Sequence, residues 1–261
     1  MIPTHNVDDL LALACAAGDE IMRIYGRTDV VLQKSDRTPL TEADLASHRC
    51  IVSGLSKLTP DLPILSEESV SFDENERLQW NDYWLVDPLD GTKEFLSRNG
   101  EFTVNIALIS NHQAIFGVVY VPAHRMLYWG GEGYGAYRQH ESDEVVSLEV
   151  QSPAPERVRV LGSRSHPSPD LEAYLSQLGA YDFQAAGSSL KFCRIAEGEA
   201  DVYPRFGPTS EWDTAAGHAI LVASKGDVVD LAGHQLRYNS KPSLINPCFI
   251  ATGDPSRNWL F

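Results

Sequence analysis

Everything else in this chain is arranged around Trp84-Leu85-Val86-Asp87-Pro88-Leu89-Asp90-Gly91-Thr92-Lys93-Glu94-Phe95-Leu96. Trp84-Leu85-Val86 is apolar enough for a buried strand, and Pro88 is expected to end it, because proline has no N–H to give a sheet ladder. Two carboxylates, Asp87 and Asp90, then stand at a strand's end. Gly91 permits a sharp reversal, and Thr92 to Leu96 has the composition of a first helical turn whose unpaired N–H groups would face the acids. A carboxylate pair beside free backbone donors suits a metal ion holding a phosphate: the acids bind the metal and the helix start binds the anion. The same residues also fit a plain turn in which Asp90 only caps the helix. Two rival motifs fit less well. The phosphatase loop with an aspartyl nucleophile has one residue between its acids where this chain has two. A calcium loop needs acids at alternate positions and a distant Glu, a pattern that Pro88-Leu89 breaks.

A chain of 261 residues can bury a large core, as one sizeable unit or as two halves sharing an interface. Its apolar fraction of 43% and charged fraction of 22% are those of an ordinary globular protein and exclude a disordered one. No apolar run approaches the roughly 20 residues of a membrane span, and Met1-Ile2-Pro3-Thr4-His5 lacks the basic and apolar regions of a signal peptide. A cytoplasmic location is the expectation, with room for peripheral association on the cytoplasmic face of the membrane. The sequence does not give the oligomeric state, and a monomer is favoured. The four cysteines are widely spaced and read as reduced thiols, and the eight histidines show no zinc spacing. A formal net charge of −15 argues against nucleic acid polymers as partners. An acidic protein that handles a phosphorylated small molecule must reverse its own field locally, with metal ions and a few placed Lys or Arg.

Residues 7 to 25 read as an amphipathic helix, with Leu10, Ala14, Ala17, Ile21 and Ile24 inward and Gly26 beyond its end. Val30-Val31-Leu32 reads as a short strand leading to the polar loop Lys34 to Arg37. Thr41 is expected to cap a second helix running to about Leu58, with Leu45, Val52, Leu55 and Leu58 inward. Asp44 then sits where a capping box usually has Glu or Gln, which would alone account for it. Pro63-Ile64-Leu65 is a strand followed by Glu67-Glu68, a second strand end loaded with acid, and residues 71 to 82 read as a connecting loop. Phe102 to Ile109 and Ala114 to Val121, joined at Asn111-His112, then Arg125 to Trp129, Gly135 to Arg138 and Val145 to Val150, read as an antiparallel meander. Ser152-Pro153-Ala154-Pro155 marks a boundary between halves 1–152 and 153–261. Beyond it come strands at Val158 to Leu161, Ala200 to Tyr203, Val228 to Leu231 and Phe249 to Ala251, with helices at Pro169 to Leu178, Ser188 to Glu197 and Asp213 to Ala223. This is an α+β half followed by an α/β half.

Asp213, in Glu211-Trp212-Asp213-Thr214-Ala215-Ala216-Gly217, stands where it could simply cap an apolar helix or could bind metal from that position. Together Glu67, Asp87, Asp90 and Asp213 supply oxygen enough for two or three divalent ions. Mg²⁺ needs only one or two carboxylates per ion plus a carbonyl, for which Leu89 is placed. Lys191 and Arg205 are candidates for a phosphate, Arg because its planar fork matches phosphate oxygens. Ser165, His166 and Ser188 offer donors to the rest of a ligand, although each of these five residues taken alone reads as a surface residue. Lys93 beside Asp90 would be wasteful without an anion nearby.

These residues resemble the lithium-sensitive, magnesium-dependent phosphatases of the inositol monophosphatase superfamily. The resemblance covers nearly the whole chain and rests on Glu67-Glu68, Asp87-Pro88-Leu89-Asp90-Gly91-Thr92 and Trp212-Asp213-Thr214-Ala215-Ala216-Gly217 in that order. Gly91-Thr92-Lys93-Glu94-Phe95, Gly162-Ser163-Arg164-Ser165-His166 and Gly187-Ser188-Ser189-Leu190-Lys191-Phe192 resemble its 3'(2'),5'-bisphosphate nucleotidase branch. What the resemblance implies is a layered α/β/α/β/α sandwich of the inositol monophosphatase and fructose-1,6-bisphosphatase type. It further implies one metal on Glu67, Asp87 and the Leu89 carbonyl, a second on Asp87, Asp90 and Asp213, and a weaker third on Glu67. Thr92, oriented by Asp44, and Glu67 would activate the attacking water. Gly91, Thr92, Lys93, Ser165, His166, Ser188, Lys191, Arg205 and Asp213 would hold the substrate, adenosine 3',5'-bisphosphate, in sulfur metabolism. The alternatives are an inositol monophosphatase and a catalytically silent binding protein of the same fold.

Overall fold

The computed structural model describes residues 7–26, 39–69, 73–163 and 169–260. The expected strand Val30-Val31-Leu32, the loop Lys34 to Arg37, and Ser165 and His166 lie outside the described residues. Helix α1 (Val7–Tyr25) buries the expected face, and Gly26 closes it with an N–H to the Met22 carbonyl at 2.9 Å. Helix α2 (Pro39–Leu58) starts two residues before Thr41. Proline favours that first position because its fixed φ is already helical and its missing N–H would be unpaired there anyway. Thr41 therefore lies inside the first turn, and the capping-box account of Asp44 does not hold. The buried stripe of α2 is Ala43, Ala46, Ser47, Ile51 and Leu55. Leu45, Val52 and Leu58 are only half-buried.

Strand β1 (Ile64–Ser66) runs parallel to β2 (Asp82–Asp90). The segment between them, expected as loop, contains one helical turn, α3 (Glu74–Arg77), capped by the Asp73 carboxylate, which accepts from the N–H groups of Asn75 and Glu76. Pro88 does not end β2. The strand continues to Asp90 across a bulge, pairing Asp87 with Asn105 and Asp90 with Thr103 on the next strand. The β1 ladder stops opposite Val86, and the bulge removes the demand for a Pro88 N–H on the other side.

After α4 (Thr92–Ser97) come β3 (Thr103–Ser110) and β4 (Gln113–Val121), joined through Asn111 and His112 at φ 49° and 67°, the positive values a tight I′-type hairpin requires. β5 (Met126–Gly131), β6 (Gly135–His140) and a two-residue β7 (Val146–Ser147), shorter than expected, complete a seven-stranded sheet in sequence order. The second sheet has the order β11-β12-β10-β8-β9, from β8 (Val158–Gly162), β9 (Tyr181–Ala185), β10 (Val202–Arg205), β11 (Asp227–Asp230) and β12 (Phe249–Thr252). β9 is an addition to the expected elements: an edge strand, largely exposed, that buries too little to show a clear period-two pattern.

The helices lie in layers. α1 and α2 cover one face of the first sheet, packing on Trp84, Val86, Val104, Ile106 and Val118. α6 (Leu190–Ala196) and α7 (Ala215–Ala223) fill the space between the sheets with Leu85, Val119, Tyr203 and Phe249. α5 (Pro169–Leu178) closes the outer face of the second sheet over Val158, Val160 and Ile250. This is the α/β/α/β/α sandwich of the α+β class. Small residues set its inner spacing. A Cβ at Gly117 of β4 would stand 2.2 Å from the Ala216 carbonyl oxygen, and one at Gly217 would stand 2.7 Å from Phe192 Cβ. The first turn of α7 therefore rests directly on the first sheet, and Asp213, just ahead of it, is carried to the end of β2.

α7 also buries His218, whose Nδ1 lies 2.8 Å from the Tyr238 hydroxyl. Burial pushes the imidazole down to about 4. Between about pH 4 and 6.5 the unfolded chain therefore binds a proton that the folded chain refuses, and stability falls as pH drops through that window. His218→Gln keeps a polar partner for Tyr238 and cannot titrate. Denaturant unfolding from pH 7 to 4 should show the parent losing about 3 kcal/mol more than the variant. Parallel curves would mean that His218 is not held neutral.

Candidate metal centre and cleft

Asp87 and Asp90 leave β2 on either side of the bulge, and Asp213 reaches them from the start of α7. Carboxylate oxygens of the three lie within 4.8 Å of one another. Asp87 is 1% exposed. Neither of the capping alternatives survives. α4 is capped by Gly91 at φ 98°, with no side-chain hydrogen bond, and Asp90 Oδ2 instead accepts the Ser189 N–H at 2.7 Å. The N-cap of α7 is Thr214, whose hydroxyl caps none of the helix N–H groups and instead donates to the Glu211 carbonyl at 3.1 Å. Asp213 Oδ2 accepts from Thr209 Oγ1 at 2.7 Å and the Ser210 N–H at 2.9 Å, both on its N-terminal side. Both carboxylates are thus fixed by the fold, with oxygens turned to one another.

Such a cluster repels itself. Burial, then the charges of Glu67, Asp90 and Asp213, hold Asp87 well above the ordinary carboxylate range. Burial and the Asp213 charge push Asp90 up to about 7, against the opposing pull of Lys191 and the Ser189 N–H. Glu67 stands outside the tight trio with an exposed side, yet desolvation and the Asp213 charge raise it to about 7, and it hydrogen-bonds with Asp87. Asp44 is raised to about 8 by burial and by Glu68 and Glu67, and its Oδ1 is buried with no hydrogen-bond partner among the described residues. Like charges this close and desolvated, with only the charge of Lys191 opposing them at Asp90 among the described residues, lower their energy either by keeping protons or by binding a metal. The donors are all oxygen, the ligand type of hard divalent cations, so these residues fit such an ion.

The adjoining cleft is lined by Asp90, Gly91, Lys93, Ser188, Lys191, Arg205 and Asp213, all named from sequence. Two expectations change. Thr92 is exposed on the first turn of α4, and no hydrogen bond joins it to Asp44 among the described residues. Lys191 is not a free surface cation. It is 5% exposed, its ammonium donates to the carbonyls of Ser188 at 2.7 Å and Ala186 at 3.2 Å, and it lies 5.1 Å from the Tyr203 ring centroid. Burial lowers it to about 8, with Asp90 opposing. Arg205 gives Nε to the Gly207 carbonyl and Nη2 to the Pro208 carbonyl, at 3.1 and 2.6 Å. Each cation keeps further N–H donors, since Lys has three and Arg five. Glu94, Thr209, Tyr203 and Thr214 also line the cleft without having been singled out. Of these only Thr209 carried a local signal, a hydroxyl one helical turn before Asp213.

With this geometry in view, the chain can be placed. The family model described as the inositol monophosphatase family matches residues 5–253, and the chain belongs to that family. Its enzymes are metal-dependent, in keeping with the acidic cluster. Within the family the chain is 49% identical over 245 residues to the 3'(2'),5'-bisphosphate nucleotidase CysQ of Escherichia coli strain K12, covering 93% of this chain and 98% of that protein. It is 44% identical over 257 residues to the CysQ of Buchnera aphidicola, covering 94% and 93%. Among solved structures, CysQ from Bacteroides thetaiotaomicron superposes with a TM-score of 0.86 at 42% identity over 95% of this chain and 97% of that one. The inositol monophosphatase of Anabaena, at 24% identity and a TM-score of 0.71 over 95% and 89%, shares the fold.

Asp90→Asn tests the electrostatics apart from any activity. Asn can still accept the Ser189 N–H but carries no charge. In chelator at pH 8 the variant should be more stable than the parent by about 2 kcal/mol or more, because a carboxylate held above its ordinary value destabilises the fold once it ionises. In excess magnesium the order should reverse. Equal unfolding midpoints in both conditions would show that Asp90 neither repels its neighbours nor binds the ion.

Proposed function

We propose that this chain is a magnesium-dependent 3'(2'),5'-bisphosphate nucleotidase that hydrolyses adenosine 3',5'-bisphosphate to AMP and phosphate. The observation that carries this reading is that Asp90 and Asp213, two of the three clustered carboxylates, line the same cleft as Lys191 and Arg205. A substrate with two phosphates needs a place for each. The CysQ relatives, named for that activity and matched over nearly their whole length, support it.

In this reading Asp87, Asp90, Asp213, Glu67 and the Leu89 carbonyl hold two to three magnesium ions. When bound, the ions neutralise charge on the phosphoryl oxygens and acidify water. Glu67, with its exposed side beside Asp87, takes the proton of the attacking water, and the Thr92 hydroxyl helps to align it. Asp44 acts through the carboxylates it crowds, Glu67 and Glu68, and not through a hydrogen bond to Thr92. The water oxygen bonds to phosphorus as the bond to the ribose 3'-oxygen breaks, and that oxygen leaves with a proton from solvent. No covalent phosphoenzyme forms. Lys191 and Arg205 bind the phosphate that is kept, Gly91, Lys93 and Ser188 line its approach, and Ser165 and His166 are assigned to the nucleoside. The two halves divide the work: 1–152 brings all the metal ligands except Asp213, together with Lys93, and 153–261 brings Lys191 and Arg205. The enzyme acts as a cytoplasmic monomer on a small molecule. Its net charge of −15 disfavours polyanions, and no helix among the described residues is long and apolar enough to cross a membrane.

An inositol monophosphate would leave Lys191 and Arg205 without a second anion. Arg205→Ala should therefore lower kcat/KM for the bisphosphate by about 1.5–3 kcal/mol of transition-state stabilisation, the usual loss for a charge-assisted hydrogen bond. A monophosphorylated substrate should change far less. Equal losses on both would move Arg205 from substrate recognition to support of the fold, and faster turnover of inositol 1-phosphate than of the bisphosphate by the parent would overturn the assignment. A chain releasing no phosphate from either substrate in magnesium would be a binding protein.

A further inference from the structure

The two proposed carboxylate ligands of β2 face two polar residues on β3. Asp87 is paired with Asn105, and Asp90 with Thr103. Asn105 and Thr103 are both fully buried, and both turn to the same atom. Ser189 Oγ donates to Asn105 Oδ1 at 2.6 Å and lies 2.9 Å from Thr103 Oγ1, while the Ser189 N–H donates to Asp90 Oδ2 at 2.7 Å. Ser189 is itself 1% exposed. It ends a turn that the loop between α4 and β3 grips from the other side. The Gly187 N–H donates to Glu101 Oε2 at 2.9 Å, and Ser188 Oγ donates to the Glu101 carbonyl at 2.7 Å. Ser188 is held at φ 42°, and a Cβ at Gly187 would stand 2.5 Å from Glu94 Cγ. The same turn presents the Ala186 and Ser188 carbonyls that hold the Lys191 ammonium.

We infer that Ser189 is a positioning residue, whose hydroxyl, clamped by Thr103 and Asn105, aims its own N–H at Asp90 and so sets that carboxylate for the metal while fixing the turn that carries Lys191. The inference rests on Asp90 being a metal ligand, as in the function proposed above. An isolated hydroxyl buried for packing needs one partner. This one has two, each on a residue paired across the sheet with a carboxylate, and the Asn105 Nδ2 has no hydrogen-bond partner among the described residues. Partners one step behind metal ligands fix ligand orientation, and their loss typically weakens metal binding by about 10- to 100-fold.

The test titrates magnesium chloride calorimetrically into the full chain, freed of metal by chelation, for the parent, Ser189→Ala, Thr103→Val and Thr103→Ser. Ser189→Ala and Thr103→Val should bind magnesium about tenfold more weakly, and Thr103→Ser, which keeps the hydroxyl, should bind like the parent. Phosphate release from the bisphosphate nucleotide should fall in the first two at low magnesium and recover as magnesium is raised, a recovery that general damage to the fold would not give. Parental magnesium affinity in Ser189→Ala and Thr103→Val overturns the inference, as does a loss in Thr103→Ser equal to that in Thr103→Val. If neither Ser189→Ala nor Thr103→Val folds, the network belongs to the core and the positioning role is wrong. A parent that binds no magnesium fails the functional reading itself, and this inference with it.

Discussion

Mutual repulsion among buried carboxylates is the constraint on which this structure turns. Asp87, Asp90 and Asp213 come from two segments more than a hundred residues apart, yet their oxygens are held within 4.8 Å. Nothing in the cluster favours that approach without a cation, so the surrounding packing must impose it. Three contacts do so. Gly117 lets α7 lie against β4, Gly217 lets Phe192 of α6 lie against α7, and Ser189 ties the turn before α6 to Asp90. The inner layer of the sandwich acts as a frame for a site that would otherwise spring open.

The same economy governs the positive side of the cleft. A chain of net charge −15 repels phosphorylated molecules at long range, so attraction has to be local. Lys191 and Arg205 provide it at a cost. Lys191 is desolvated to the point that its ammonium is weakened, and backbone carbonyls from Ala186 and Ser188 hold it in place. Arg205 is pinned by the Gly207 and Pro208 carbonyls. Cations held this way lose little freedom on meeting an anion, which favours recognition by placement over recognition by bulk charge.

Much of this was legible in the sequence, because the signals were local. The apolar period of α1, the paired turn residues Asn111 and His112, and the acids loaded at two strand ends each state their structure within a few residues. What escaped was decided at a distance. Pro88 reads as a strand terminator unless one knows that β1 stops opposite Val86 and that a bulge separates Asp87 from Asp90. Thr41 reads as a cap because Thr is a favoured N-cap residue, whereas the helix starts at Pro39. Lys191 reads as a surface cation because its burial depends on β10 and Tyr203. Ser189 and Asn105, 84 positions apart, carry no signal that either needs the other.

The most direct measurement is anomalous diffraction from crystals of the full chain soaked in manganese, a divalent ion that takes the same oxygen ligands and scatters strongly. The account predicts at least two anomalous peaks within bonding distance of Asp87, one shared with Asp90 and Asp213 and one with Glu67. Peaks confined to surface carboxylates, with Asp87, Asp90 and Asp213 still clustered and no metal between them, would contradict it.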